Sequence, residues 1–569
     1  MSTFDQLMAI LPEGQTFSLI RESGRIYVDK TRYLYSLALS RKPWLLTRPR
    51  RFGKSTLVSA FEELWLHGVA PYDGHDSYFK GLEIEQLWPQ VPDNAGPFYV
   101  LHLDFSVLLI NCHNAADFHQ RLNAKILRFA QNAHLELQTT GTDQDAFEQL
   151  LDAVPDKSVV LLVDEYDAPL TRLLEADADD DAASAASAAM TQLLRDFFVL
   201  IKASSRKFRF IFITGITRLK DTSVFSAGNS VVDISQRPDY GAICGITREE
   251  LQRYFPEHLR YAAAQWLQLP EEQVSSLHVE QLLDEMTMWY DGYCFDRNCA
   301  THVFSLWSLL CFFGEKCTDF NTYWFDGSGR SKLLLQNLSQ LSWTDRFNIL
   351  FGDSVEVELE DFLSPTTLEA MQPEVLLFQT GYLTLKAPYR GAAASDTLTV
   401  LMGLPNKEME SALSRLYCLD FLPKKFGFRA FVDKLRAALK AQDATALQQC
   451  CNKVLQSVDY EHYPLTQESS VTACLYIAIS LALHVRVTVN HHESHGRADL
   501  LFDWQHTTVV IEFKYAHKHS ETSDLLKQAV EQILDRNYGD TFAQQPHLWR
   551  LAMVFCAESR EITDVQVVT

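Results

Sequence analysis

The sequence predicts an α/β protein in three parts: a parallel-sheet domain over residues 1–235, a mixed, mainly helical middle or lid region over residues 236–425, and a second α/β domain over residues 426–569. In the first part, apolar strand-like runs alternate with helical patterns, which is typical of a parallel sheet covered on both faces. In the second, helical and aromatic segments dominate. The third combines amphipathic helices with two strand-like runs around a short polar turn, which indicates a β-hairpin among helices.

Length and charge limit the classes of protein that fit. The 569 residues are 47% hydrophobic, which suffices for more than one core and for about two to four domains. The net charge of −22 argues against a protein that coats nucleic acid non-specifically, although a local basic groove is compatible with it.

Three further features predict a cytoplasmic protein without a membrane partner. The 11 cysteines include no Cys-x-x-Cys pair, so they are interpreted as reduced, buried thiols. The first residues, MSTFDQLMAILPEG, lack the basic region and long apolar run of a signal peptide. The most apolar stretch, Val471–Val485, is shorter than the ~20 residues that a membrane span needs, and it is predicted to be a buried helix.

Four apolar runs in the first part are predicted as buried strands: Lys42–Thr47, Pro97–Phe105, Ser158–Asp167 and Phe208–Thr217. A helical pattern over Ser55–Gly68 follows the first of them. The Ala- and Asp-rich stretch Glu175–Ala189 is interpreted as a solvated loop that runs into a helix.

The stretch RPRRFGKST, Arg48–Thr56, lies between the first strand and this helix. It ends in Gly53-Lys54-Ser55, which is how a loop that aims backbone N–H groups at phosphate oxygens at a helix N-terminus finishes. Lys54 would contact the outer phosphates, and the Ser55 hydroxyl would bind Mg²⁺. The sequence therefore predicts an ATP site at this loop.

The start of the loop departs from the usual pattern. Arg48 stands where a glycine is usual, and Pro49 has no N–H to donate. Arg48, Arg50 and Arg51 bring guanidinium groups, which bind phosphate in a bidentate manner. We therefore expect the loop to replace part of its backbone donation by side-chain charge.

Two later strands end in polar residues that suit the same site. At the end of VVLLVDEYD, Asp164 is predicted to hold Mg²⁺ through water and Glu165 to deprotonate the attacking water. The alternative is that both residues cap the next helix. Beyond FIFITGIT, Arg218 is a candidate contact for the γ-phosphate, and its alternative is an ion pair with nearby acidic residues.

A second candidate site lies in the carboxyl-terminal hairpin, GRADLLFDW followed by VVIEFKYA. Asp499 lies on one strand, whereas Glu512 and Lys514 lie two residues apart on its neighbour and so face the same side. Two close carboxylates favour Mg²⁺ or Mn²⁺, and an adjacent lysine can stabilise a phosphate transition state. The alternative is a surface Glu-Lys pair, but Glu512 interrupts an apolar run where an unpaired charge is costly.

Together these motifs resemble the bacterial family of predicted AAA-like ATPases fused to a PD-(D/E)XK-type nuclease domain. The resemblance runs nearly end to end, through YVDKTRYL, RPRRFGKSTL, LLVDEYDAPL, TGITRLKDTSVFS, WYDGYCF, LLFQTGYLTL, LPNKEM, GRADLLFDW, IEFKYA and QILDRNY. It implies a P-loop NTPase fold for the first domain and a restriction-endonuclease-like α/β fold for the last. Family members share the Arg-Pro-Arg-Arg-Phe start of the loop, so Arg48 and Pro49 fit the family form.

The resemblance also implies functional residues and a setting. The nucleotide-binding positions that it implies are Gly53, Lys54, Ser55, Thr56, Asp164 and Glu165. The nuclease positions that it implies are Asp499, Glu512 and Lys514, with Glu468, Gln532 and Tyr538 as secondary candidates. The biological setting that it suggests is mobile elements or antiphage defence.

Two functions remain open from the sequence. One is an ATP-controlled, Mg²⁺-dependent nuclease, with DNA favoured over RNA as the partner. The other is an ATP-dependent switch whose carboxyl-terminal domain binds nucleic acid or a partner without cutting. The Asp-Glu-Lys set favours the first, but Gly496–Asp540 carries five Lys/Arg against eight Asp/Glu, which is no strong electrostatic footprint for a duplex. Both functions are compatible with a homo-oligomer.

Overall fold

The computed structural model describes residues 3–9, 11, 16–137, 146–175, 180–218, 231–314, 320–324, 334, 337–338, 341, 343–352, 354–363, 371–391, 398–423, 425–461, 463–483, 487–493, 496–505, 507–536, 538 and 547–569. The chain divides into two compact units, Met1–Leu334 with Glu356–Glu408 and Leu335–Val355 with Met409–Thr569. The first unit thus includes most of the predicted middle region, and the three-part division by function stays a prediction.

The helices of the described residues vary from single turns to 24 residues. Those up to Gly314 are α1 (Thr3–Ala9), α2 (Phe17–Glu22), α3 (Thr31–Ala38), α4 (Lys54–His67), α5 (Ile84–Leu87), α6 (Phe105–Leu108), α7 (Ala115–Asn132), α8 (Ala146–Ala153), α9 (Ala168–Glu175), α10 (Asp180–Ala203), α11 (Arg248–Tyr254), α12 (Pro256–Leu267), α13 (Ser276–Tyr290) and α14 (Leu306–Gly314). The later helices are α15 (Trp343–Phe351), α16 (Leu359–Leu363), α17 (Pro373–Thr380), α18 (Lys407–Phe421), α19 (Phe428–Ala441), α20 (Ala444–Leu455), α21 (Glu468–Leu483) and α22 (Thr522–Asp535).

The strands form three larger sheets and one two-stranded ribbon. Those up to the ribbon are β1 (Pro43–Thr47), β2 (Tyr99–Asp104), β3 (Val159–Asp164), β4 (Phe208–Gly215), β5 (Val232–Asp233), β6 (Tyr293–Cys294) and β7 (His302–Val303). The others are β8 (Val355–Glu358), β9 (Thr384–Leu385), β10 (Arg390–Gly391), β11 (Leu398–Gly403), β12 (Val487–Glu493), β13 (Gly496–Trp504), β14 (Thr507–Ala516), β15 (His547–Cys556) and β16 (Glu561–Val568).

A five-stranded sheet in the order β2–β3–β4–β1–β5 is the base of the first unit, and all its neighbouring strands are parallel. Every residue of β3 and β4 is buried, as expected for the central strands of a sheet covered on both faces. The carboxyl ends of parallel strands meet at one edge, where open α/β sheets bind their ligands. The four predicted strands and the helix after the first are confirmed.

The remainder of the first unit is mainly helical, as predicted. Helices α11–α14 enclose a second apolar core that includes Leu251, Met286, Tyr290 and Phe312. A small sheet follows, in which β11 pairs with β8, β9 and β10. Residues 176–179 and 219–230, which contain part of the loop predicted after Glu175 and the LKDTSVFS part of one motif, lie outside the described residues.

The second unit contains a mixed sheet in the order β12–β13–β14–β15–β16. Only β14 and β15 run parallel; the other neighbours are antiparallel. Helix α21 packs on β12–β14, and α22 packs on β14–β16. The predicted hairpin is β13–β14, and the predicted buried helix is α21, of which 13 residues are buried.

Two composition-based predictions can also be compared with the fold. Every cysteine in the described part of the chain has a free thiol. Among the helices of that part, none combines the length and the apolar character that a membrane crossing requires.

Candidate functional sites

The predicted phosphate-binding loop lies at the carboxyl edge of the parallel sheet, between β1 and α4. Gly53 precedes α4 with a φ of 94°, a left-handed conformation that favours glycine. The Lys54 side chain is buried, and its Nζ donates to the carbonyl oxygens of Arg48 and Pro49 at 2.9 Å each. Phosphate oxygens are charged and therefore stronger acceptors than these carbonyls, so the ammonium is available to a nucleotide.

Asp164 connects three elements at this edge. It is the last residue of β3 and is 2% exposed. Its Oδ2 accepts a hydrogen bond from Ser55 Oγ at 2.7 Å, and its Oδ1 accepts one from Thr214 Oγ1 on β4. The two groups predicted to share Mg²⁺, the Ser55 hydroxyl and the Asp164 carboxylate, are therefore in contact.

Glu165 borders a cavity beside the loop, together with Lys54 and Ser55. Its backbone has a φ of 53°, an uncommon conformation for a residue with a side chain. Burial raises the pKa of the Glu165 carboxyl, and the Lys54 ammonium opposes this increase. A carboxylate of raised pKa on a cavity wall is suited to accept a proton from water.

Among the described residues that line this cavity, Arg48 is absent. The buried guanidinium donates to the carbonyl oxygens of Thr47 at 2.9 Å, Ser235 at 2.5 Å and Tyr240 at 3.1 Å. It also stacks on Phe295, 4.5 Å from the ring centroid. A buried charge needs several hydrogen-bond partners, and these contacts supply them. Arg48 therefore holds the start of the loop against the segment that contains Ser235 and Tyr240.

The other predicted loop residues do line the cavity, and Arg218 does not. Arg51, Gly53, Lys54, Ser55 and Thr56 all belong to its lining within the described residues. Arg218 instead forms an ion pair with Asp233, with an Nε–Oδ2 distance of 2.7 Å. This ion pair is the alternative that the sequence left open for Arg218.

The cavity has a volume of about 470 Å³ and includes an apolar wall that sequence reasoning missed. The side chains of this wall are those of Ile20, Val28, Ile243, Ile246, Phe255 and Leu310. An apolar wall beside a cationic loop suits a nucleoside that carries phosphates. These residues come from segments on both sides of the loop and share no local motif, so only the fold brings them together.

The second candidate site lies where β13 and β14 separate. Backbone pairing runs from Trp504↔Thr507 to Leu500↔Ile511, and Asp499 and Glu512 are the next residues on the two strands. At this point a side chain takes the place of the backbone pairing, because Asp499 Oδ2 accepts a hydrogen bond from the backbone N–H of Phe513 at 2.7 Å. The two predicted carboxylates are thus brought together, and Glu512 is 1% exposed.

Lys514 completes this acidic cluster. Its Nζ lies 2.8 Å from Glu512 Oε1 and 3.8 Å from Glu468 Oε2 at the start of α21. Burial and the neighbouring Glu512 and Glu468 carboxylates raise the pKa of Asp499 to about 8. Burial also raises the pKa of Glu512, although Lys514 opposes it. The cluster therefore contains more carboxyl groups than one lysine can neutralise.

The secondary candidates Gln532 and Tyr538 lie in contact with each other. The buried Tyr538 hydroxyl accepts from Gln532 Nε2 at 3.0 Å and from an Arg536 guanidinium nitrogen at 3.1 Å. Arg536 is close enough to lower the pKa of Glu512. The end of α22 therefore supplies a cation near the carboxylates.

Two separate regions of the chain match known protein families. Residues 14–225 match the family described as predicted AAA-ATPases, and residues 466–565 match the PD-(D/E)XK nuclease superfamily. The chain joins an AAA-ATPase-like region to a PD-(D/E)XK nuclease-like region. The phosphate-binding loop lies within the first match, and Asp499, Glu512 and Lys514 lie within the second.

A relative from Azotobacter chroococcum mcd 1, described as an uncharacterized protein in the vnfD 5′ region, is 26% identical over 564 residues. The similarity covers 97% of each chain, so it includes the segment between the two family matches. Among solved structures, Cdc6p from Pyrobaculum aerophilum is 11% identical, with 72% of this chain and 97% of that chain covered and a TM-score of 0.23. A TM-score of that size supports no conclusion about function.

The PD-(D/E)XK nuclease-like region offers donors that fit a divalent cation. Glu512 Oε2 is buried and has no hydrogen-bond partner in the described part of the protein, and oxygen ligands suit Mg²⁺ or Mn²⁺. No group of three or more His, Cys, Asp or Glu among the described residues has the arrangement of a metal site. A cation at this site would be held by the Asp499 and Glu512 carboxylates.

Binding of Mg²⁺ or Mn²⁺ to this region is expected to release about one proton at pH 7. The pKa of Asp499 is about 8, so without metal its carboxyl is mainly protonated at pH 7 and must ionise to bind. By the same shift, the metal-free protein should lose stability as pH rises through about 8, because the folded state holds the proton more tightly than the unfolded chain. Calorimetry in buffers of different ionisation enthalpy measures the proton count.

The control for this prediction is Asp499→Asn, which lacks one of the two carboxylates and is expected to give neither a metal-binding heat nor proton release at millimolar metal. Metal affinity of the wild type should also increase as the pH rises toward 8, since protons compete less. Equal binding heats in all buffers, after correction for the metal itself, would contradict the assignment of the cation to Asp499.

Proposed function

We propose that the chain is an ATP-binding and ATP-hydrolysing protein whose carboxyl-terminal domain is a Mg²⁺-dependent nuclease controlled by nucleotide state. The observation that carries the proposal is the buried cluster of Asp499, Glu512 and Lys514, in which one oxygen of Glu512 has no partner in the described residues. A surface Glu-Lys pair would have no reason to be buried so completely. We assign ATP binding to residues 1–235, a lid role to residues 236–425 and cutting to residues 426–569.

At the nucleotide site, each role follows from position. Lys54 and Arg51 would neutralise the outer phosphates, and the Ser55 hydroxyl and Asp164 carboxylate would hold Mg²⁺. Glu165, whose pKa burial raises, would take the proton of the attacking water. The apolar wall of the cavity would hold the nucleoside.

At the nuclease site, Asp499 and Glu512 would hold the cation, which supplies Lewis-acid stabilisation of the cleaved phosphodiester. Lys514 is fixed by Glu512 at 2.8 Å and would stabilise the charge that develops on the phosphate. Glu468, 3.8 Å from Lys514, would keep the lysine protonated and oriented.

Control by the nucleotide is the part of the proposal that depends on the whole chain. The two candidate sites belong to different compact units. A ligand can shift an equilibrium only by its differential affinity for two conformations. We therefore propose that ATP and ADP differ in their affinity for states in which the nuclease site is accessible.

An assay of cleavage tests the proposed function. Single- and double-stranded DNA and RNA are incubated with the full chain and Mg²⁺ or Mn²⁺, with and without ATP, while phosphate release is followed in parallel. The proposal predicts metal-dependent cutting, with DNA as the preferred substrate. Binding of nucleic acid without cutting under every condition would favour the switch that the sequence left open, and cutting in EDTA would contradict the metal mechanism.

A further inference from the structure

Glu408, in the LPNKEM motif, is a buried carboxylate that the proposed mechanism does not use. It is 0% exposed. Its Oε1 accepts from the backbone N–H groups of Tyr323 and Trp324 at 2.7 and 2.8 Å, and its Oε2 accepts from Ser308 Oγ at 2.7 Å. Burial raises the pKa of Glu408 to about 7, against the effect of these hydrogen bonds.

The same two residues hold an arginine of the phosphate-binding loop. One terminal nitrogen of the Arg51 guanidinium donates to the carbonyl oxygens of Tyr323 and Trp324 at 3.3 Å each. The guanidinium also lies over the Trp307 ring, 4.5 Å from its centroid. Tyr323 and Trp324 therefore give their N–H groups to Glu408 and their carbonyl oxygens to Arg51.

The segment that carries Glu408 is fixed independently of this contact. Asn406 Nδ2 donates to the carbonyl oxygen of Asp291 at 2.6 Å, and Lys407 Nζ lies 3.0 Å from Glu285 Oε1. A Cβ on Gly292 would come within 2.3 Å of the Pro405 carbonyl oxygen, so the WYDGYCF and LPNKEM motifs pack backbone against backbone. Glu408 is consequently a rigid anchor for the two peptide groups.

We propose that Glu408 is a positioning residue that fixes Arg51 for contact with the outer phosphates of a nucleoside di- or triphosphate. The inference rests on the proposed nucleotide site and assigns one of its phosphate contacts. Arg51 lines the cavity next to Lys54 and Ser55, and its planar group forms bidentate hydrogen bonds with phosphate. Removal of Glu408 takes away the carboxylate that accepts from the Tyr323 and Trp324 N–H groups, so the carbonyls that direct Arg51 shift.

The test compares Arg51→Ala, Glu408→Ala, Glu408→Gln and the double variant Arg51→Ala/Glu408→Ala in the full chain. Affinities for ATP, ADP and AMP are measured by calorimetry, after circular dichroism and thermal unfolding show that each variant folds. Glutamine keeps an oxygen for the two N–H groups and an amide for Ser308, so it is the matched control. Glu408→Asp, which withdraws the carboxylate by one methylene, replaces Glu408→Ala if the latter does not fold.

Arg51→Ala and Glu408→Ala are each expected to weaken ATP and ADP binding about 10- to 100-fold, as for a lost hydrogen bond to a charged group, while AMP affinity changes little. Glu408→Gln should bind ATP with wild-type affinity. The double variant should bind ATP no more weakly than Arg51→Ala, because Glu408 acts only through Arg51 and the two losses are not additive. The inference would be overturned if the losses of ATP affinity in the two single variants added up in the double variant, or if AMP affinity fell as much as ATP affinity. It would also be overturned if Glu408→Gln bound ATP as weakly as Glu408→Ala, or if a folded Glu408→Ala bound ATP with wild-type affinity. If the wild type binds no nucleotide, the proposed nucleotide site itself fails, which is a separate result.

Discussion

Replacement of Asp499 or Glu512 by alanine is expected to abolish nucleic-acid cleavage, with a loss of at least about 100-fold in kcat. Each substitution removes one of the two carboxylates that would hold the cation, and the remaining one cannot bind it alone at millimolar metal. Lys514→Ala should lose activity to a similar extent but keep its metal affinity, because the lysine acts on the phosphate. Cleavage rates and metal binding are measured on the same protein samples.

The control for these variants is Asp503→Asn. Asp503 lies on the same strand as Asp499, is exposed, and accepts from Thr508 Oγ1 at 2.5 Å outside the cluster. It should cut like wild type. Glu512→Gln is a further test, because glutamine has nearly the same shape as glutamate but carries no charge. This variant should be more stable than the wild type without metal, and it should not cleave nucleic acid. Near-wild-type cleavage by Glu512→Gln would show that the carboxylate cluster is not the cutting site.

The second large effect is expected at the phosphate-binding loop. Lys54→Ala removes the ammonium aimed at the outer phosphates and should weaken ATP binding about 10- to 100-fold, the range for a hydrogen bond to a charged group. Glu165→Gln should bind ATP with wild-type affinity but hydrolyse it at least about 100-fold more slowly, because an amide accepts no proton from the attacking water. Calorimetry and phosphate release separate the two effects.

Lys80→Ala is the matched control for Lys54→Ala, since Lys80 is exposed and pairs with Asp76 at 2.6 Å away from the cavity lining. It should leave both ATP binding and hydrolysis unchanged. A folded Lys54→Ala protein with wild-type ATP affinity would exclude the loop as a nucleotide site. Normal turnover by Glu165→Gln would exclude Glu165 as the base.

The parallel sheet and the hairpin were predictable because their signals are local. Predominantly apolar runs such as β3 and β4 indicate burial on both faces, and the period of two along a strand places Glu512 and Lys514 on one side. The contact between Ser55 and Asp164, 109 residues apart, also followed, since parallel strands end at the same edge. Strand β12 was not predicted, because its second half, within NHHESHG, has the composition of a polar turn.

The directions of long side chains were not predictable from the sequence. Arg48 and Arg51 stand three residues apart in one basic motif, yet one points to carbonyls of residues 235 and 240 and the other borders the cavity. These carbonyl partners of Arg48 lie 187 and 192 residues later, and those of Arg51 lie 272 and 273 residues later. The role of Glu408 has the same origin, since its partners lie 84 and 85 residues earlier.

Cleavage by the full chain with ATP, with ADP and without nucleotide, compared between wild type and Lys54→Ala, tests the central claim most directly. If nucleotide state controls the nuclease, the wild-type rate depends on the nucleotide, and the Lys54→Ala rate does not. Coupling free energies of about 1–3 kcal/mol correspond to about 5- to 150-fold in equilibrium terms, so the direction of the change should be measurable. Equal rates under all three conditions in a wild type that both binds ATP and cuts would contradict the claim, and the two regions would then share a chain without sharing a mechanism.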